Sequence, residues 1–235
     1  MFKDGVDQGY RKDPNWWFNP GPDQFRIAKL NEDYPEEYFP LAQPPKEALM
    51  AIVRHSKDLY LKWAPNSQRP HLGFSNGIVD FGAAGGWTMN AFLEQGINAT
   101  GFEGSFNGYL FCKKNFEDGA WQALWYDDVR QYLREPPSKY DMAICTEVAE
   151  HIEWPFHSTL VNNLIRYSDF IWWSSEGPEV DNSPHLHHCA EAPLQYWIKL
   201  FEYFGFDYYP LPKSVTEECA GRGQCVFYNP RTYTP

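Results

Sequence analysis

The chain has 235 residues, a net charge of −11 and an aromatic content of 18% that includes ten tryptophans. That length fits one domain with an embellishment, and 43% hydrophobic residues are enough for a sizeable core. The acidic balance argues against extensive contact with a phosphate backbone, the five cysteines without a CxxC pair point to reduced thiols in an intracellular setting, and no signal peptide or run of 18 apolar residues is present. A cytoplasmic protein that avoids membranes and nucleic acid is therefore expected, with its oligomeric state left open.

Residues 1–45 are rich in Pro, Asp, Asn and aromatics, as in Asn15–Pro22, and have little periodicity. They read as an irregular arm that packs over a domain. Pro44 and Pro45 precede a helix over Lys46–Trp63, with Leu49, Ile52, Val53, Leu59 and Tyr60 on one face and Pro65 beyond its end. Arm and helix (1–70) are expected to cap a second unit (71–235).

From Ile78 the pattern alternates between strand and helix. Strand Ile78–Phe81 leads to a helix near Thr88–Gln95, and strand Ile97–Glu103 to one near Asn107–Asn115. A short strand at Ala123–Tyr126 precedes a short helix at Val129–Arg134. Strand Tyr140–Thr146 precedes a helix opening at Glu147, which continues or restarts over Phe156–Arg166. Strand Asp169–Ser174 precedes a helix over Ala192–Phe204. Phe206–Tyr209 and Gln224–Tyr228 then read as strands joined by a polar linker without a helix. Five β/α repeats predict an α/β fold with a doubly wound, Rossmann-like, seven-stranded sheet. Its last strand pair should be antiparallel.

The turn after the first strand, Gly82-Ala83-Ala84-Gly85-Gly86, is glycine-rich and opens a helix, an arrangement that lets a ligand approach the backbone. Glu103 lies 21 residues beyond Gly82, at the end of the second strand, where a carboxylate can accept both hydrogen bonds of a ribose diol. Ala84 and Trp87 occupy the second and third glycine places of the dinucleotide pattern, and Trp87 is expected to crowd a pyrophosphate. The turn thus favours a ligand with ribose but no pyrophosphate, and no P-loop lysine is present.

These residues resemble the class I S-adenosylmethionine-dependent methyltransferases. Val79–Gly86 is similar to their first motif, Gly101–Ser105 to the acidic end of their second strand, Trp125–Val129 to the segment that meets adenine, and Tyr140–Val148 to their fourth-strand motif. The likeness runs from Gly77 to Tyr228 and departs at Ala84, where the family commonly has Gly. It implies S-adenosylmethionine as cofactor. Asp80 and the backbone of Gly82, Ala83, Ala84 and Gly86 would meet the methionine moiety, and Glu103, with Gly104 and Ser105 beside it, would meet the ribose. Asp127 or Asp128 would meet adenine, unless Asp128 caps the next helix, and Thr146, within the fourth-strand motif, would also meet the cofactor.

Glu147, Glu150 and His151 stand at i, i+3 and i+4, so a helix opening at Glu147 would place them on one face at the sheet's C-terminal edge. They read as metal ligands, as an acid/base cluster, or as acids favoured at a helix N-terminus. His185, His187 and His188 follow the fifth strand, at the same edge. A set of Glu147, Glu150, His151 and His188 suits a divalent ion such as Mg, Mn, Fe or Zn. The arrangement is similar to the metal-dependent small-RNA 3′-terminal 2′-O-methyltransferases, which carry Glu-x-x-Glu-His and a later His ahead of a Glu, here His188 and Glu191. The ubiquinone-pathway O-methyltransferases share the first part. Gln195–Ile198 and Gly205-Phe206 resemble a pattern common among sugar O-methyltransferases.

The reaction expected is methyl transfer to a hydroxyl of a sugar, glycan or small polyol. An ion would acidify the hydroxyl, and His185 or His187 would take its proton. Without metal, His151 paired with Glu147 would serve as base. Trp16, Trp17, Trp172 and Trp173 are candidates to stack on a sugar ring. The alternatives are an RNA 2′-O-methyltransferase, or a protein that binds the cofactor without turnover.

Overall fold

The structure, a computed structural model, describes residues 34, 36, 38–41, 43–63, 74–116, 124–178, 188–219, 224–233 and 235. In chain order its elements are α1 (Tyr38–Leu41), α2 (Lys46–Trp63), β1 (Ile78–Phe81), α3 (Trp87–Glu94), β2 (Ala99–Glu103), α4 (Phe106–Asn115), β3 (Leu124–Tyr126) and β4 (Met142–Thr146). Two 3-10 turns follow at Ala149–His151 and Trp154–Phe156. Then come α5 (His157–Tyr167), β5 (Phe170–Ser174), α6 (Leu194–Tyr203), β6 (Asp207–Pro210), α7 (Lys213–Glu218) and β7 (Cys225–Tyr228).

The strands form one seven-stranded sheet in the order β3-β2-β1-β4-β5-β7-β6. β1 to β5 run parallel, and β7 runs antiparallel to both β5 and β6. The doubly wound sheet with an antiparallel last pair is thus as the β/α alternation predicts. Its strand order reverses between β1 and β4, the place where open α/β sheets bind ligands.

Side-chain alternation divides the core between two faces. Ile78, Met142, Ile144, Phe170 and Trp172 point into one apolar cluster with α2 and α3. Val79, Phe81, Ala143, Cys145, Ile171 and Trp173 point into the other with α5 and α6. Trp172 and Trp173 are fully buried in these two clusters, so neither offers a ring to a sugar. Trp16 and Trp17 lie outside the described residues.

Three local expectations are corrected. Residues 129–134 form no helix, because the Asn163 side chain takes over their backbone. Its Nδ2 donates to the carbonyls of Val129 and Gln131, and its Oδ1 accepts from the Leu133 N–H. No α-helix opens at Glu147, which adopts φ +55 and is followed only by a 3-10 turn. The linker between β6 and β7 holds the short helix α7, which starts after Pro212, a residue that breaks β pairing but suits a helix start.

Candidate functional site

The β1–α3 turn is shaped by residues in the left-handed region. Gly82 has φ +74 and Gly86, which caps α3, has φ +80. A Cβ on Gly82 would sit 2.6 Å from Val148 Cγ2, so the turn and the segment after β4 touch here with no room for a side chain. Ala84 holds φ +48 without being glycine. Among the described residues two that are not glycine have positive φ, Ala84 and Glu147, and both line one cleft, the kind of place where backbone strain collects.

Glu103 organises the β1–β2 side of the cleft. Its carboxylate accepts the Ala84 N–H at 2.7 Å and the Ser105 N–H at 2.6 Å, joining the glycine turn to the loop after β2. The N–H groups of Gly82 and Ala83 donate to the Phe102 carbonyl, and that of Asp127 to the Glu103 carbonyl. Burial pushes the Glu103 carboxyl up to about 7, against the pull of the Ser105 and Ala84 N–H groups. Burial, reinforced by Glu103, pushes Asp80 up to about 8.

Both carboxyls hold a proton more tightly folded than unfolded, where their values are 4.5 and 3.8. Their contribution to stability is therefore complete below about pH 4 and is lost as pH rises through about 7 and 8. The melting temperature of the unliganded protein is expected to fall by at least about 3 °C from about pH 6 to about pH 8.5. Asp80→Asn should flatten that slope. Calorimetric melting across the interval checks this, and a rising melting temperature would refute it.

A cleft open to solvent lies at this edge of the sheet. Gly82, Ala84, Glu103, Gly104 and Asp128 line it on the β1–β3 side, and Glu147 and His151 on the β4 side. Asp80, Ala83, Gly86, Ser105, Asp127 and Thr146 are not among its walls. Asp80 is buried beneath the turn, Ala83 packs into the core, and Ser105 caps α4 by accepting the Gly108 N–H. Asp127 is exposed. Asp128 is held by Arg130, which donates to it from the backbone and from Nε and Nη2. Trp87 does not crowd the cleft: its ring folds under Gly85 and packs against Phe111 in the core.

On the β4 side, the Glu147 N–H donates to the Ser174 carbonyl at 3.2 Å, and Ser174 Oγ donates to Glu147 Oε1 at 2.7 Å. Glu147 is therefore fixed to the end of β5 rather than to a helix face. Glu150 is fully buried, and among the described residues neither of its carboxylate oxygens has a hydrogen-bond partner. Burial first, and Glu147 second, hold it well above the usual carboxylate range. The Ser175 hydroxyl and the backbone of Glu150 and Glu176 oppose this, from contacts too loose to be hydrogen bonds.

The loop after β5 is pinned to this turn, since the N–H groups of Cys189 and Ala190 both donate to the Glu150 carbonyl, at 2.9 and 3.0 Å. That brings His188 beside His151, with ring centroids 4.6 Å apart. One ligand atom each from Glu150, His151 and His188 lies within 4.8 Å of the others. His188 Nδ1 meets Glu191 Oε1 at 3.0 Å and lies 3.8 Å from Glu176 Oε2. With Nδ1–H held by a carboxylate, Nε2 carries the lone pair, as in metal-binding histidines. Three of the four predicted ligands thus converge, while Glu147 stands apart in the cleft wall. His185 and His187 lie outside the described residues.

From the N-terminal arm sequence reasoning named only Trp16 and Trp17, yet Tyr34, Tyr38 and Phe39 form one wall of the cleft. The Tyr34 ring meets His151 edge-on at 5.7 Å, and the Tyr34 carbonyl accepts from Asn107 Nδ2. Burial and nearby acids, among them Glu103 and Glu150, push both tyrosine phenols up. The only signal was the aromatic density of the arm. Val129, Val148 and Ile152 add apolar wall.

No family known by its sequence pattern matches this chain, and no curated protein matches it. Similarity appears among solved structures. A SAM-dependent methyltransferase from Archaeoglobus fulgidus is 17% identical with a TM-score of 0.52, over 82% of this chain and 96% of the other. The methyltransferase domain of bacterial CtHen1-CN gives 15%, 0.56, 81% and 98% in the same order. Streptomyces venezuelae DesVI gives 14%, 0.57, 86% and 99%. The fold is that of the class I S-adenosylmethionine-dependent methyltransferases.

Proposed function

We propose that the protein is an S-adenosylmethionine-dependent O-methyltransferase that acts on a hydroxyl of a sugar, glycan or similar small polyol, with a divalent ion held by Glu150, His151 and His188. The observation that carries this reading is Glu150. A buried carboxylate whose two oxygens have no hydrogen-bond partner among the described residues is costly. Two imidazoles within ligand distance supply the remainder of a cation site. A mixed carboxylate and imidazole set suits Mg, Mn, Fe or Zn.

The cofactor, when bound, supplies an electrophilic methyl on a sulfonium and departs as a thioether. The ion supplies Lewis acidity toward a hydroxyl at the Glu150 edge. The chain does the rest. The turn around Gly82–Ala84, with Asp80 beneath it, receives the methionine end. Glu103 accepts from the ribose diol, and the Asp127–Asp128 loop flanks the adenine. Glu147, fixed by Ser174, and His151 face the cleft between cofactor and acceptor. Tyr34 and Tyr38 wall the acceptor side and exclude water, which aligns the hydroxyl for in-line attack. His151 serves as base where no ion is required, and His185 and His187 remain candidates for the proton.

An RNA 2′-hydroxyl is the second reading. It is favoured by the Glu150–His151–His188 set, since a terminal ribose offers the same pair of oxygens, and opposed by the net charge of −11.

Calorimetry should give a dissociation constant for S-adenosylmethionine in the micromolar range, and no binding at about 1 mM ligand would defeat the reading. Mass spectrometry of sugars, glycans, catechols and short RNAs incubated with cofactor, with Mn²⁺ or with EDTA, should show methyl gain on a polyol that EDTA abolishes.

A further inference from the structure

Between the two sides of the cleft lies a buried ionic link that the reading above does not use. Arg130, whose side chain is 10% exposed, grips Asp128 through Nε and Nη2 at 2.8–3.0 Å. Its Nη1 reaches across to Glu153, which is 1% exposed, at 3.1 Å to Oε1 and 3.4 Å to Oε2. Asp128 lines the cleft on the β3 side. Glu153 follows directly on the turn that carries Glu150 and His151, and the Cys189 thiol beside His188 lies within electrostatic reach of both Glu153 and Arg130. The Arg130 guanidinium also lies over the Phe156 ring, 5.9 Å from its centroid. One planar guanidinium therefore holds two carboxylates from opposite sides of the cleft, a task for which arginine's forked donors suit and a lysine does not.

We propose that Arg130 is a positioning residue that couples the cofactor half of the site to the Glu150–His151–His188 half, so that an ion at one tightens binding of S-adenosylmethionine at the other. The inference rests on the function proposed above. An ion that orders the Glu150 turn fixes Glu153, Glu153 fixes Arg130, and Arg130 sets the Asp128 loop that the cofactor must meet. The ordering cost is then shared between the two ligands, which gives positive coupling without a large shape change.

The test is calorimetry of S-adenosylmethionine with the whole chain, with and without saturating Mn²⁺. In the wild type, Mn²⁺ should tighten cofactor binding by about fivefold or more, and the cofactor should tighten Mn²⁺ binding by the same factor. Glu153→Gln keeps the Arg130–Asp128 grip. Its metal-free cofactor affinity should stay within about threefold of wild type while the coupling falls below about twofold. Arg130→Lys should lose the coupling likewise. Coupling that survives in Glu153→Gln overturns the proposal, and so does independent binding of both ligands in the wild type. Absence of any cofactor binding would instead defeat the proposed function itself, and the coupling with it.

Discussion

Glu150→Gln is expected to retain the fold and to lose methyl transfer by at least roughly two to three orders of magnitude, the several kcal/mol that a Lewis acid contributes at a reacting oxygen. The substitution preserves volume and replaces a carboxyl that no described residue hydrogen-bonds by an amide that cannot ionise to hold a cation. Its melting temperature without metal should stay close to that of the wild type, because burial already keeps the Glu150 carboxyl protonated in the unliganded fold. Mn²⁺ should raise the wild-type melting temperature and leave that of Glu150→Gln unchanged. Cofactor affinity measured without metal should be similar in both. Turnover with Glu150→Gln near the wild-type rate would remove the ion from the mechanism and leave His151 as the base.

Glu103→Gln should show the opposite division. The Glu103 carboxylate accepts two backbone N–H groups, from Ala84 and Ser105. An amide offers one oxygen to them and turns its own N–H₂ toward the other donor. Hydrogen bonds to a charged acceptor are worth about 1.5–3 kcal/mol each, so the net loss of one such bond should weaken S-adenosylmethionine binding by roughly 10- to 150-fold. Mn²⁺ binding at Glu150, His151 and His188 should persist, since those residues are positioned from β4 and β5. Calorimetry with each ligand in turn separates the two halves. Undiminished cofactor affinity in Glu103→Gln would move the ribose elsewhere in the cleft.

The fold was legible in the sequence because the strands are short apolar runs set between turn residues. The bounds of α2 match the reading to the residue. What escaped was decided by side chains distant in sequence. The helix expected at 129–134 gives way to Asn163, which comes from α5 and satisfies the very backbone groups a helix would use. The helix expected at Glu147 fails for a similar reason. The Glu147 N–H goes to Ser174, and the Glu150 carbonyl goes to Cys189 and Ala190. A reading based on i, i+3 and i+4 spacing therefore expected the wrong geometry, and Glu147 stands apart from the other two. Glu150 and His151 meet His188 through a 3-10 turn and a loop contact, not along a helix face. Helix α7 was missed because it buries none of its own residues and so shows no apolar period. The tyrosine wall was missed because an irregular segment leaves no periodic trace of what it covers.

The carboxylates gathered at this edge bear on turnover as well as on binding. Asp80, Glu103, Asp128, Glu147 and Glu150 all stand in or just behind the cleft. Asp80, Glu103 and Glu150 are held above their ordinary range, chiefly by burial and in part by one another's company. On the function proposed above, a sulfonium entering such a site would favour the ionised forms of these carboxyls, whereas the thioether left after transfer is neutral at sulfur. Substrate and product of the cofactor thus differ by one charge in a place tuned to feel it. On that same function, these carboxyls would hold the methyl donor more tightly than the spent cofactor, and transfer of the methyl would itself favour release.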